Sequence, residues 1–292
     1  MFAVGKRAIK DFIHDDMNTY AGALTFRILL AIFPFLIFML TLLDVLGLTN
    51  FFNWLLDQAQ KAFPSDLYSQ FEMIVQQVRG GANGGLLSFG LILALWAASG
   101  GVRAAMNALN AAYDVEESRP IWKKYPLSIV YTVGLAALLI AAVALMLLGP
   151  QTMEWLAGQI GLGDVFVTIW AWLRIPAAIL IMMLAVALVY YFFPNVDQPF
   201  QIVSPGSVVA VLTWVVATIG FSFYISNFAN YNATYGSLAG VVVLLLYFFI
   251  SSAVLLFGAE INGVIYKAEH GTEDDNVEDS AVQEARQETT TA

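Results

Sequence analysis

Three ionisable residues inside long apolar stretches of the sequence would lie at similar depth from the predicted inner boundary of a membrane. They are Arg27, Arg103 and Glu260. A charged side chain at the centre of a membrane helix costs about 2.5–3.5 kcal/mol on insertion scales, so each is a candidate for a functional role. Two interpretations are open. The charges line a path for a substrate or an ion, or Glu260 pairs with one of the arginines and only fixes the packing of helices.

Polar residues follow Arg103 along one side of its predicted helix. Asn107, Asn110 and Asp114 come at steps of four, three and four residues, which places all of them on one helical face. The small residues at 100–101 would let a neighbouring helix or a ligand approach that face closely. The predicted binding or pathway residues are Arg27, Arg103, Asn107, Asn110, Glu260 and Asn262.

A second polar cluster links the last two apolar stretches on the predicted outer side of the membrane. Its members are Asn227, Asn230, Tyr231, Asn232, Tyr235 and Ser237. The cluster fits a gate or a turn that binds lipid headgroups, and it equally fits a tight hairpin. Gly236 and Gly240 form a GxxxG pair that would pack the last helix against a neighbour or a second copy of the chain, so a homo-oligomer is one expected state.

Six long apolar runs must position these residues. A helix needs about 20 apolar residues to cross a hydrocarbon core about 30 Å thick. The runs that reach this length are residues 20–46, 86–112, 126–148, 165–193, 204–228 and 237–266. Hydrophobic residues make up 59% of the chain and charged residues only 12%, about half the charged share of a typical soluble domain. The sequence therefore predicts an all-α integral membrane protein, a bundle of six transmembrane helices.

Amphipathic segments flank the first apolar run. Ile9, Phe12 and Ile13 recur at helical spacing, and the basic residues within 6–10 lie on the other face. This pattern predicts an N-terminal helix on an anionic membrane surface. Residues 50–79, interrupted by a proline, predict amphipathic helices on the outer face between the first and second spans.

The end of the chain is strongly acidic. After residue 268 the sequence has eight acidic residues and one arginine, so this tail carries −7 of the net charge of −9. Such a segment is predicted to be disordered, either as a solubilising tail or as a docking arm for a basic partner. The predicted organisation is an amphipathic surface helix (1–19), a six-helix membrane domain (20–267) and a cytoplasmic acidic tail (268–292).

The distribution of basic residues predicts the orientation. With the N-terminus inside the cell, seven basic residues fall on the cytoplasmic side and three on the outer side: Lys6, Arg7, Lys10, Arg119, Lys123, Lys124 and Lys267 against Lys61, Arg79 and Arg174. Positive charge is retained in the cytoplasm, so both termini are predicted to be cytoplasmic.

The residue inventory excludes several kinds of chemistry. The chain has no cysteine, and its two histidines, His14 and His270, lie near the ends of the chain. A thiolate nucleophile, a zinc site or a Ser-His-Asp triad inside the bundle is therefore excluded. No nucleotide-binding loop occurs. We predict no catalytic residues, no metal, no cofactor and no nucleic-acid partner, and we expect membrane lipids as partners.

Several motifs together resemble the YihY/BrkB family of bacterial inner-membrane proteins, which carries the older label "ribonuclease BN". The motifs are YAGALTFRILLAIFPFL (20–36), RAAMNALNAAYDVEESRPIWKK (103–124), YYFFPN (190–195), SNFANYNATYGSLAG (226–240) and FGAEIN (257–262). The resemblance covers residues 12–267. Arg27 departs from the pattern, in which an aromatic or small residue is expected.

The resemblance implies a six-helix bundle in the bacterial plasma membrane, with transport of lipids or other amphiphiles as the expected activity. Two other functions stay open. One is a non-transporting scaffold for envelope assembly that docks through its tail. The other is the ribonuclease of the older label, against which stand the terminal histidines and the acidic tail, because nuclease chemistry needs a metal or base beside a basic surface.

Overall fold

Long α-helices account for the architecture. The computed structural model describes residues 2–45, 84–147, 164–227 and 237–270, with the short pieces 56–57, 60, 68–69 and 72–73. All regular structure in this part of the chain is helical. In chain order the helices are α1 Phe2–His14, α2 Met17–Val45, α3 Gly84–Ala112, α4 Ile121–Leu147, α5 Asp164–Phe192, α6 Pro205–Asn227 and α7 Ser237–His270. The predicted helices within 50–79 and the tail beyond residue 270 lie outside the described residues.

Six of these helices are long and apolar enough to cross a membrane, which confirms the predicted six-span fold. The candidate spans are Met17–Phe38, Leu87–Ala112, Ile121–Ala142, Val167–Phe192, Pro205–Ile225 and Gly240–His270. Each helix packs against the next from α2 to α7, and α7 returns to pack on α2 and α3. The six helices therefore form a closed ring, and the first and last spans are neighbours.

One end of the bundle carries both ends of the described chain. It is formed by α1, the 113–120 connection, the 193–204 connection and the C-terminal turns of α7, and we call it the terminal face. The even number of spans places both chain ends on this face. On the opposite side of the molecule, most of the connecting residues lie outside the described part of the chain.

Helix α1 lies against α7. Ala8 is completely buried and packs with Ile261 and Val264. The ring of Phe12 meets that of Phe257 edge-on, with centroids 6.1 Å apart. Ile9 on the other side of α1 stays exposed. The amphipathic pattern therefore serves both protein packing and the surface, because one apolar edge docks on α7 while the other remains open.

Two aspartates end helices in the left-handed conformation that usually favours glycine. Asp16 has φ 52° and Asp114 has φ 53°. After α3, the Val115 N–H donates to the Asn110 carbonyl at 2.9 Å and the Asp114 N–H to the Ala111 carbonyl at 3.0 Å. This is the Schellman arrangement that satisfies the last carbonyls of a helix. Asp tolerates this backbone better than most residues, and here the turn also aims its carboxylate at α7.

Glycines set the closest helix contacts around α7. A Cβ on Gly206 would collide with the Gly258 carbonyl, and a Cβ on Gly263 would collide with the Ala112 carbonyl. Helices α6 and α3 can therefore approach α7 closely only because these positions lack side chains. The predicted Gly236–Gly240 contact stays a prediction, because Gly240 is exposed in the single chain and Gly236 lies outside the described residues.

Candidate functional site

Arg103 lies in the middle of the bundle wall between α3 and α4. Its Nη1 donates to Ser99 Oγ and to Ser128 Oγ, both at 3.0 Å. Its guanidinium group stacks over the Tyr125 ring, 4.2 Å from the ring centroid. These contacts orient the arginine, but none of them neutralises its charge.

Arg27 reaches the same place from α2. Its Nη1 is 3.1 Å, and Arg103 Nη2 is 3.6 Å, from the position that a Cβ on Gly100 would occupy. The two guanidinium groups are therefore close neighbours across a helix surface kept open by a glycine. No carboxylate among the described residues forms an ion pair with either arginine. The pair concentrates positive charge inside two neighbouring spans.

Asn107 and Asn110 belong to a different environment from Arg103. Lys124 Nζ donates to Asn107 Oδ1 at 2.6 Å. The backbone N–H of Asn195, after α5, donates to Asn110 Oδ1 at 2.7 Å. The predicted polar stripe is thus divided: Arg103 and Asn107 contact different side chains of α4, whereas Asn110 ties α3 to the 193–204 connection.

A salt-bridged network covers this end of α3 and α4. Glu117 Oε1 accepts from Arg119 Nε at 2.6 Å, and Glu117 Oε2 lies 2.8 Å from Lys124 Nζ. Burial by itself would raise the pKa of Glu117, but the hydrogen bonds from Arg119 and Lys124 outweigh it and lower the pKa to about 2. Arg119 Nη2 also donates to the Phe193 carbonyl at 2.7 Å and so ties the end of α5 into the network. These residues form a structural clamp.

Glu260 is fully buried in the middle of α7's packed face. Its residue exposure is 0%, and neither carboxylate oxygen has a hydrogen-bond partner among the described residues. The ion pair with Arg27 or Arg103, one of the two interpretations of the sequence, is not formed. Glu260 and the arginine pair are therefore separate features of the bundle.

Lys267 lies two turns further along α7 and engages other carboxylates. It is 4% exposed, forms an ion pair with Asp114 and lies 3.9 Å from Asp11 Oδ2. The contact joins α7 to α1 and to the turn after α3. Sequence reasoning assigned Lys267 only to the membrane boundary, because no spacing pattern links residues so distant in the chain.

Asn262 holds the beginning of α6. Its Oδ1 accepts from the Gly206 N–H at 2.9 Å, and its Nδ2 donates to Ser204 Oγ at 2.9 Å. It also lines a cavity of about 190 Å³ at the terminal face, together with Tyr190, Gln198 and Tyr266 among others. The side chain thus satisfies a helix N-terminus, and the structure does not bring it together with Arg103.

The outer polar cluster stays a prediction. Asn230, Tyr231, Asn232 and Tyr235 lie outside the described residues, while Asn227 ends α6 and Ser237 begins α7.

Six apolar spans around buried polar groups define a multi-pass α-helical membrane protein. The family described as "Virulence factor BrkB" matches residues 8–283, so the chain belongs to the BrkB family. It is similar to the ribonuclease-like protein YfkH of Bacillus subtilis (strain 168), with 38% identity over 87% of this chain and 92% of that protein.

A further relative is the UPF0761 membrane protein RSc1559 of Ralstonia nicotianae. It is 25% identical over 89% of this chain and 58% of its own length. No solved structure matches the chain. The comparisons establish the family and its membrane character, and they leave the activity to be argued from the residues.

Proposed function

We propose that this protein binds an anionic amphiphile, such as a phospholipid, within the membrane and moves it between leaflets. The observation that carries the proposal is the convergence of Arg27 and Arg103 on Gly100 without a carboxylate partner among the described residues. Unpaired charges within a span are costly, and a bound phosphate would offset that cost through charge-assisted hydrogen bonds. A guanidinium pair suits phosphate because each group offers several donors in a fixed geometry.

The arginine pair is accessible from the side of the bundle. Arg27 is exposed, and Ala23, Phe26 and Leu30 on the same side of α2 are exposed as well. This side faces hydrocarbon in a membrane. A lipid headgroup can therefore reach the arginines laterally while its acyl chains stay in contact with the apolar surface of α2.

The depth of the pair fits movement across the bilayer. Arg27 lies ten residues after Met17, the first residue of its span, which corresponds to about 15 Å along the helix. This is about half of a hydrocarbon core of about 30 Å. A headgroup bound at this depth lies halfway through the hydrocarbon core. A site that only attached the protein to the membrane surface would not need to lie so deep.

Native mass spectrometry of gently extracted protein tests the binding step. Wild type is compared with Arg27→Gln, Arg103→Gln and the double variant. We expect co-purified anionic lipid to fall at least tenfold in the double variant. Reconstituted vesicles with a headgroup-labelled phospholipid then measure transfer between leaflets, which should fall in parallel.

Arg174→Gln is the matched control, because Arg174 is an arginine within another span, on α5. It should retain the bound lipid. Identical lipid profiles in wild type and the double variant, with both proteins monodisperse, would overturn the proposal.

A further inference from the structure

Glu260 is a buried carboxyl group that the arginine pair does not use. It lies in the packed face of α7 beside Leu256 and Ala259, both with 0% exposure. Both of its oxygens are buried without a hydrogen-bond partner in the described residues. Burying an isolated carboxylate in apolar surroundings is strongly unfavourable, so such a group is retained where it exchanges a proton or an ion.

A second carboxyl group, that of Asp15, is half-buried at the terminal face and is among the charged groups that face Glu260. It occupies the turn between α1 and α2, and its Oδ1 is 3.0 Å from His14 Nδ1. Its other oxygen, Oδ2, is buried and has no partner in the described residues. One carboxyl group thus contacts a surface imidazole on one side and the protein interior on the other.

His14 supplies the exposed end. Its side chain is 84% exposed. The hydrogen bond that His14 Nδ1 donates to Asp15, and then the negative charge of Asp15, raise the pKa of His14 above its ordinary value. His14 is therefore a titratable group that is open to water and in direct contact with Asp15.

The charged groups near Glu260 do not form an ion pair with it in the described part of the chain. Asp15 exerts the strongest electrostatic effect on it. The other charged groups that face it are Lys267 on α7, Asp11 on α1 and Asp114 after α3. Lys267 is held by Asp114 and Asp11, and α6 contains no charged residue. Arg27 on α2 does not pair with Glu260, because its guanidinium group lies against Gly100 of α3.

From this geometry we infer that His14, Asp15 and Glu260 form a proton path from the terminal face to a proton-binding site at Glu260. The coupling of that proton to substrate movement rests on the proposed function, whereas proton binding itself does not. Glu260 lies on α7, which packs against α2, the helix that carries Arg27.

Each transfer in the path breaks one bond to hydrogen and forms another. A proton leaves His14 Nδ1 for Asp15 Oδ1, rotation of the carboxyl group carries it to the buried side, and it passes from there to a Glu260 oxygen. The imidazole is protonated again from water. Because Asp15 and Glu260 share no hydrogen bond in this structure, a water molecule or a small movement of the turn must bridge the last step.

Infrared spectroscopy of the purified protein, without substrate, tests the site. A pH titration should show the C=O band of a protonated carboxylic acid that disappears in Glu260→Gln and persists in Glu116→Gln, a carboxylate exposed on the terminal face. Glu260→Asp should retain the band and so separates loss of the proton site from loss of folding.

Time-resolved spectra after a pH jump test the path. His14→Gln and Asp15→Asn should slow the appearance of the Glu260 band about tenfold or more and leave its equilibrium titration in place. A band unchanged in Glu260→Gln, or equally fast proton uptake in Asp15→Asn, would overturn the inference. Loss of lipid binding in the arginine variants with an intact Glu260 band would instead count against the proposed function alone.

Discussion

Individual side chains show how the terminal face is held together. Lys267 is almost completely buried and joins two carboxylates from other elements, Asp11 and Asp114. Asp114 sits in a left-handed turn at the end of α3. That turn directs the short side chain of Asp114 toward Lys267, so its carboxylate reaches the lysine. Removing the lysine would leave Asp114 without this cation, whereas Asp11 would keep its ion pair with Arg7 at 3.7 Å.

Glu117 gives a pH-dependent contribution to stability. Its pKa is about 2 in the folded protein and about 4.5 when unperturbed, so folding favours the ionised form. The contribution is fully present above the unperturbed pKa and is lost as the pH falls toward about 2. At pH 7, Glu117→Gln should destabilise the protein by about 1–2 kcal/mol, allowing for partial solvent screening.

Thermal melting of the detergent-purified protein measures this effect. The difference in melting temperature between wild type and Glu117→Gln should shrink between about pH 5 and pH 3. Glu116→Gln should melt like wild type. If the difference in melting temperature stayed constant between pH 5 and pH 3, the contacts of Glu117 would not stabilise its ionised form, and the prediction would be wrong.

At the scale of helices, α7 organises the bundle. It contacts α1, α2, α3 and α6, and its closest crossings are made at glycines. At the crossing with α6, Gly206 faces the backbone of Gly258 and the amide of Asn262. These are groups that cannot move aside easily, so the helix spacing there depends on the absence of a side chain.

Gly206→Ala should therefore destabilise the protein by about 1–3 kcal/mol through overpacking. Gly220→Ala on the same helix should be neutral or stabilising by about 0.5–1 kcal/mol, because nothing lies within 4 Å of its Cβ position and alanine favours the helix. The melting temperatures of Gly206→Ala and Gly220→Ala, measured in the same detergent, test this difference. Equal values for both variants would mean that α6 and α7 do not cross as closely as described.

The whole molecule has both ends of the described chain, residues 2 and 270, on one face, and the distribution of basic residues predicts that this face is cytoplasmic. The absence of cysteine makes the test direct, because any introduced cysteine is the only one in the chain. In intact spheroplasts, a membrane-impermeant maleimide should label Gln76→Cys, between α2 and α3. Glu116→Cys and Ala268→Cys should react only after permeabilisation, and the reverse pattern would invert the topology.

Sequence patterns predicted the spans well because hydrophobic length is a local property. A run of about 20 apolar residues has few alternatives to a membrane helix, since the bilayer leaves no water for unpaired backbone groups. The same reasoning marked Arg27, Arg103 and Glu260 as exceptional, because each interrupts such a run. Periodicity also placed Asn107 and Asn110 on one side of α3, where the structure joins Asn107 to Lys124 of α4 and Asn110 to the connection after α5.

The sequence by itself thus determined the class of protein, the six spans and the charged residues that need explanation. Only the tertiary structure decided how those residues are grouped. It brought Arg27 to Arg103 across Gly100, left Glu260 without either arginine, and buried one oxygen of Asp15 without a hydrogen-bond partner in the described residues. The physical reason is that a charge pattern along one chain says how deep a residue lies, whereas the rotation and neighbours of each helix follow from side-chain packing between segments far apart in sequence.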